Sequence, residues 1–191
     1  MERRRFLLEQ LALLAAAAVA PGVASGGLRS RNAEALRPPG AVPEEEFPGR
    51  CIRCGQCAEV CPNRAIRAFG WDAGPTLANT PYIVAREKAC ILCMKCGAAC
   101  PTGALTEIPR EAEAIVSKVS MGRAVVDRNL CLSYQGKSCG VCYRACPLPD
   151  VALRVGMLEQ PHVLERCVGC GLCERACIQI PQAIRVVPTA G

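Results

Sequence analysis

Large aromatic side chains are scarce in this chain of 191 residues: three Phe, three Tyr and one Trp make up 4% of it. A chain this short ordinarily fills its interior with such residues, so their scarcity excludes a conventional aromatic core and requires another means of stapling the interior. Histidine is scarcer still, with His162 alone. The net charge of +6 is not gathered into a Lys/Arg run with interleaved aromatics, which argues against a nucleic-acid surface. There is no Gly-rich phosphate loop, no nucleophile elbow, and no paired-carboxylate or HExxH signature, so the chain is read as a non-enzyme with no catalytic residues. No apolar run reaches the ~20 residues that span a bilayer; the Ala/Leu stretch Leu11 to Ala20 is shorter and mostly Ala.

That stretch has a definite context. Arg3, Arg4 and Arg5 precede Phe6 and Leu7, giving Arg-Arg-x-Phe-Leu ahead of the Ala-rich segment, and Gly22-Val23-Ala24 offers a small-residue cleavage site. Residues 1–24 therefore read as a twin-arginine signal peptide. The expectation is export to the periplasm of a protein folded beforehand, as a cofactor inserted in the cytoplasm would require.

What the chain does have is sixteen cysteines. Cysteine at this density indicates either a disulfide scaffold or a metal framework, and spacing decides between them. The cysteines fall into four runs of four: Cys51, Cys54, Cys57 and Cys61; Cys90, Cys93, Cys96 and Cys100; Cys131, Cys139, Cys142 and Cys146; Cys167, Cys170, Cys173 and Cys177. The first two runs carry the C-x2-C-x2-C-x3-C-P spacing of bacterial ferredoxins. In the third the first gap is seven residues, and the fourth has Ile178 where Pro62, Pro101 and Pro147 follow the others. Structural zinc sites use two separated ligand pairs, often with His, which does not fit a recurring C-x2-C-x2-C. Cysteines two residues apart rarely reach relaxed disulfide geometry. Each run instead supplies three thiolates to wrap one face of a cubane, and a fourth that, in two-cluster ferredoxins, reaches the neighbouring cluster.

Four [4Fe–4S] clusters follow, with all sixteen cysteines as ligands. Sequential cross-ligation predicts the sets Cys51, Cys54, Cys57 with Cys100; Cys90, Cys93, Cys96 with Cys61; Cys131, Cys139, Cys142 with Cys177; and Cys167, Cys170, Cys173 with Cys146. In a nested arrangement Cys61 would instead join Cys167, Cys170 and Cys173. Ligand saturation leaves no open iron position for substrate chemistry, so electron transfer is the expected activity. Gly55, Gly97, Gly140 and Gly171 each follow a ligand cysteine, where they let backbone N–H groups approach sulfur or simply serve a tight turn. Phe69, Trp71 and His162 are read as packing residues.

The runs define a repeat with first cysteines at 51, 90, 131 and 167. Short β-like stretches flank the loops: Tyr82–Val84, Ala124–Val126 and His162–Leu164 before them, and Ala65–Arg67, Ala104–Thr106, Val151–Val155 and Ala183–Val187 after them. Gln56–Cys61 and Glu174–Cys177 have room only for short helices, and Glu111–Lys118 reads as a helical connector. The predicted fold is α+β, two tandem ferredoxin-like 2[4Fe–4S] domains at 47–108 and 120–188, joined by a connector at 109–119 and preceded by a linker at 25–46.

The leader, the four runs in this order, and the stretch from Cys131 through Ser133-Tyr134-Gln135-Gly136 to Cys139-Gly140-Val141-Cys142-Tyr143-Arg144-Ala145-Cys146-Pro147 resemble the MauM/NapG family of ferredoxin-type proteins. The resemblance implies a periplasmic electron carrier. Its donor would be a membrane-bound iron–sulfur partner that oxidises quinol, and its acceptor a periplasmic redox enzyme such as nitrate reductase or one of methylamine utilisation. Two other readings are the iron–sulfur subunit of a molybdopterin oxidoreductase, whose runs are nested, and a structural or maturation factor whose clusters only stabilise the fold.

Overall fold

The structure, a computed structural model, describes residues 36–189. The twin-arginine leader expected at residues 1–24 lies outside the described residues. The elements are short, as the sequence dictates: glycines and prolines punctuate every loop, and only a few consecutive residues alternate apolar and polar. In chain order they are α1 (Phe47–Arg50), α2 (Gln56–Glu59), β1 (Ile66–Ala68), β2 (Pro81–Ile83), α3 (Lys95–Ala98), α4 (Ala112–Lys118), β3 (Arg123–Val126), α5 (Val141–Arg144), β4 (Leu153–Val155), β5 (Pro161–Val163), α6 (Leu172–Ala176) and β6 (Ile184–Val187). The strands expected around the cysteine loops are present within a residue or two, except at Ala104–Thr106, where Leu105 makes only an isolated bridge to Ala41.

The strands pair antiparallel as β1–β2, β4–β5 and β3–β6. The β4–β5 pair joins the strand after the third run to the strand before the fourth, and β1–β2 does the same for the first two runs. In the second half, β3 before the third run pairs with β6 after the fourth. The first half has a reduced version of that ladder. There the Leu105–Ala41 bridge is reinforced by the Val42 N–H donating to the Ala104 carbonyl at 3.1 Å and the Thr106 N–H to the Gly40 carbonyl at 2.7 Å.

This explains a stretch that the sequence suggested was the end of a linker. Residues 36–46 stand where β3 stands in the second half, but Pro38, Pro39 and Pro43 withhold the N–H groups a regular ladder needs. The chain is tied down all the same: Leu36 exchanges both backbone hydrogen bonds with Ile83, at 3.0 and 2.7 Å, and Leu36, Pro38 and Phe47 are fully buried. Arg37 closes the corner. Its guanidinium stacks on the Phe47 ring, 4.3 Å from the centroid, while Nη1 donates to Thr80 Oγ1 at 2.9 Å and to the Pro81 carbonyl at 2.8 Å.

The core is built from small and aliphatic residues of both halves, among them Ile83, Leu105, Ile115, Ala124, Val168 and Ile184, interleaved with Cys90, Cys96, Cys170 and Cys173. Cysteine sulfur thus occupies the place that aromatic rings hold in other small domains. All described residues fall in one compact unit. The halves meet where the Cys90 N–H donates to the Cys170 carbonyl at 2.9 Å. Beside that bond, Arg86 Nη1 reaches the carbonyls of Glu174, Arg175 and Cys177 at 3.1, 3.2 and 2.9 Å.

Candidate metal centres

Three cavities are walled by four cysteines each. Cys51, Cys54, Cys57 and Cys100 line the first, a space of about 490 Å³, with Ile66 and Leu105 completing the wall. Cys131, Cys139, Cys142 and Cys177 line a second of about 380 Å³, with Val126 and Ile184. Cys146, Cys167, Cys170 and Cys173 line a third of about 380 Å³, with Ala124 and Val186. In each, three cysteines come from one run and the fourth from the end of another. A single tetrahedral zinc would need its thiolates about 3.8 Å apart. Among the described residues no three Cys, His, Asp or Glu side chains gather tightly enough to share one ion, whereas a cavity ringed by four thiols suits a larger body.

The four cysteines outside these cavities are Cys61, Cys90, Cys93 and Cys96. Cys90 and Cys96 are buried and within electrostatic reach of Cys93 and of each other. Cys61 lies on the turn after α2, and two residues on, Asn63 Nδ2 donates to the carbonyl of Ala89 at 2.7 Å, pinning that turn to the residue before Cys90. The second half repeats the device. Gln179, two residues after Cys177, donates its Nε2 to the carbonyl of Leu130 at 2.9 Å, the residue before Cys131. A side-chain amide at the same offset thus ties the end of one run to the start of its partner in both halves. Sequence reasoning did not single out Asn63 or Gln179; their shared offset from a fourth cysteine was the available signal.

The seven-residue gap of the third run folds into a compact turn. The carbonyl of Cys131 accepts from the N–H groups of Tyr134 and Gln135, at 3.0 and 3.1 Å, and the Leu132 carbonyl from Lys137 at 3.0 Å. Ser133 is buried, and the Tyr134 hydroxyl donates to the Pro161 carbonyl at 3.2 Å. The insertion therefore loops out while Cys131 and Cys139 face one cavity. Arg144 braces its far end, donating to the Cys139 carbonyl and, at 2.6 Å, to Glu159. Glu159 also accepts from Ser138, and these two partners hold its carboxyl below the usual range.

The glycines after ligand cysteines are not equivalent. Gly55, Gly140 and Gly171 sit in the left-handed region ahead of α2, α5 and α6, but in the second run Met94 takes that conformation, with φ 58°. Gly97 lies inside α3, where a Cβ would collide with the Thr106 carbonyl. Of the three residues read as packing, Phe69 is buried and stacks on Tyr82 with centroids 4.1 Å apart. His162 is exposed on β5 with its ring edge-on to Tyr134. Trp71 departs from the expectation, being 76% exposed.

The electrostatics of the sulfurs fit a cationic occupant. Burial, with repulsion from neighbouring cysteines, pushes Cys57, Cys142 and Cys170 up to about 11 and Cys90 and Cys96 to about 12. Cys173 is driven well above its ordinary value by the same causes. Thiolates in these positions are unfavourable unless iron offsets their charge. Backbone donors are already placed for anionic sulfur: the N–H groups of Ala65, Leu92 and Leu105 point at the Sγ atoms of Cys61, Cys90 and Cys100, each at 3.4 Å. At Cys100 burial opposes ionisation, yet donors from Leu105 and Thr102 outweigh it and lower the pKa.

Comparison with known proteins agrees with this chemistry. Residues 50–104 match the family described as 4Fe-4S dicluster domain, and residues 129–155 with 164–177 match the 4Fe-4S binding domain. Over 97% of its length the chain is 40% identical to the methylamine utilization ferredoxin-type protein MauM of Methylobacillus flagellatus, covering 83% of that protein. It is 39% identical to the ferredoxin-type protein NapG of Escherichia coli over 97% of this chain and 85% of that one. NapG of Haemophilus influenzae is 38% identical over 98% of this chain and 72% of its own.

Proposed function

The chain belongs to the MauM/NapG family of ferredoxin-type proteins and is an iron–sulfur electron-transfer protein; from that premise we propose that it holds four [4Fe–4S] clusters and relays electrons in the periplasm. The observation that carries the reading is the gathering of cysteines from two different runs on the wall of one cavity, seen at three places. The ligand sets are Cys51, Cys54, Cys57 and Cys100; Cys90, Cys93, Cys96 and Cys61; Cys131, Cys139, Cys142 and Cys177; and Cys167, Cys170, Cys173 and Cys146. The position of Cys146 beside Cys167, Cys170 and Cys173 supports sequential over nested pairing.

The clusters supply reversible one-electron chemistry. The protein's own part is to present thiolates, to aim N–H groups at sulfur, and to exclude water from the inner sites, all of which set reduction potentials. With every cluster iron bound by cysteine, no position is left for a substrate, so the protein exchanges electrons and performs no bond chemistry. Among the described residues no helix is long and apolar enough to cross a membrane. Quinol confined to the bilayer would then be oxidised by a membrane-bound iron–sulfur partner, from which this protein takes electrons. It delivers them to a periplasmic redox enzyme, such as a nitrate reductase or an enzyme of the methylamine utilization for which its MauM relative is named. The twin-arginine leader carries the folded, loaded protein to that compartment.

Protein purified without oxygen should contain about sixteen iron and sixteen sulfide per chain, four of each for every cubane. Zinc in place of iron, or about half that iron, would overturn the reading.

A further inference from the structure

Two halves, each with two cysteine quartets, can be joined in several ways, and the one suggested by chain order would lead from the second quartet to the third. The structure joins them differently. Of the sixteen cysteines, four are buried, Cys90, Cys96, Cys170 and Cys173, and they belong to the second and fourth quartets alone. Every cysteine of the first and third is partly or fully exposed. The bond between the halves runs directly from the Cys90 N–H to the Cys170 carbonyl, at 2.9 Å. Beside it Gly171 lies against Ala85 so closely that a Cβ at Gly171 would collide with it.

The second half then orders its own two cavities. On the β3–β6 ribbon, Ala124 is paired with Val186 and Val126 with Ile184. The Ala124–Val186 pair lines the fourth-run cavity and the Val126–Ile184 pair the third-run cavity. Residues two apart on a strand share a face and are about 6.7 Å apart, so the two cavities lie in succession along one face of the ribbon. The fourth comes first on leaving the connector, α4, and Met121, just before β3, is bonded to Val168 of the fourth run at 3.1 Å. In the first half α2 and α3, which carry Cys57 and Cys96, pack together.

We infer that the four quartets form a single line in the order first, second, fourth, third, so that electrons enter and leave at the first and third quartets and cross between halves at Cys90 and Cys170. This rests on the four-cluster reading above. Each transfer takes one electron from a reduced site to the oxidised site beside it; no bond to the protein breaks and no proton moves. The helix packing agrees, since α2 lies against α3 in the first half and α5, which carries Cys142, against α6, which carries Cys173, in the second. A chain-order line would bury the third quartet and expose the fourth, the opposite of what is seen.

The test uses electron paramagnetic resonance of the reduced, fully loaded protein. The variant Cys139→Ser removes a ligand at the proposed end of the line. Its iron should fall from about sixteen to about twelve per chain, and the fourth-run signal should keep the broadening caused by the second-run spin beside it. If the fourth-run signal instead becomes an isolated spectrum, the third quartet lay between them and the order is wrong. Should the variant fail to load, the unaltered protein with a soluble gadolinium chelate answers the question. Two of its four signals should relax rapidly and two should be protected; four equal responses would overturn the order. Iron far below sixteen in the unaltered protein would fail the four-cluster reading itself, and so is distinguishable from failure of the order.

Discussion

Replacing Arg86 with alanine tests whether the junction between the halves is held by a side chain or by backbone alone. One guanidinium nitrogen lies within hydrogen-bond distance of three carbonyls, those of Glu174, Arg175 and Cys177, at the end of α6, where carbonyls lack partners within the helix. That nitrogen has two hydrogens, so it makes two good bonds at a time. A hydrogen bond to a charged group contributes about 1.5–3 kcal/mol, and discounting each for the partial exposure of Arg86 to about 1 kcal/mol gives about 2 kcal/mol for the two together. Opening of the junction should then become about thirtyfold more frequent, since 1.4 kcal/mol is a factor of ten. Global unfolding is a poor assay for a protein with bound cofactors. Amide hydrogen exchange is a better one, because the Cys90 N–H is bonded across the junction to the Cys170 carbonyl. Peptides containing Cys90 should exchange about thirtyfold faster in the variant, while those covering β1 and the first-run loop keep their rates. Unchanged exchange at Cys90 would refute the claim that Arg86 holds the halves together. Arg86→Lys should give an intermediate rate, a point charge reaching fewer of the three acceptors.

Gly97→Ala should destabilise despite the better helix propensity of alanine, worth about 1 kcal/mol. The new Cβ meets rigid backbone at Thr106, and forcing the segments apart costs about 1–3 kcal/mol; a variant that resists denaturant as well as the parent would show that the contact yields. Asn63→Ala and Gln179→Ala each strip a carbonyl of its donor and should cost about 1 kcal/mol. Asn63→Ala should speed iron loss to a chelator from the Cys61 site alone and Gln179→Ala from the Cys177 site alone, as followed by resonance spectra; equal loss from all sites would contradict the assignment. Lysine at Arg3, Arg4 and Arg5 together should trap loaded precursor in the cytoplasm, and its normal appearance in a periplasmic fraction would sink the export reading.

The sequence was most legible where spacing itself carries the physics. Three cysteines at intervals of two residues favour a loop around a common centre, and the short apolar runs Ala124–Val126 and Ala183–Val187 read as strands, which the fold places at Arg123–Val126 and Ile184–Val187. Residues 36–46 were not legible because prolines erase the alternation that marks a strand, leaving one isolated bridge to hold what β3–β6 holds with a full ladder. The glycines looked equivalent by their place after a cysteine, yet Met94 occupies the left-handed position in the second run and Gly97 serves close packing instead. Contacts between the halves had no signature at all: Arg86 is one arginine among many until the end of α6 is brought to it. Trp71 shows the reverse error, a large apolar residue that the fold leaves in solvent.

The β3–β6 ribbon also sets when the protein can finish folding. β6 follows all four cysteine runs, and until it emerges from the ribosome Ala124 and Val126 have no partner strand and two cavities lack a wall. The third-run cavity waits likewise for Cys177, and the first-run cavity for Cys100. The first and third quartets are therefore incomplete when their own loops have been made, whereas the second and fourth take their last cysteine, Cys61 and Cys146, from chain already synthesised; the second half still closes only when its last strand arrives. A prematurely terminated chain lacking only β6 would carry all sixteen cysteines yet could not enclose the third and fourth sites, so completion of synthesis and retention of metal are coupled by the topology itself.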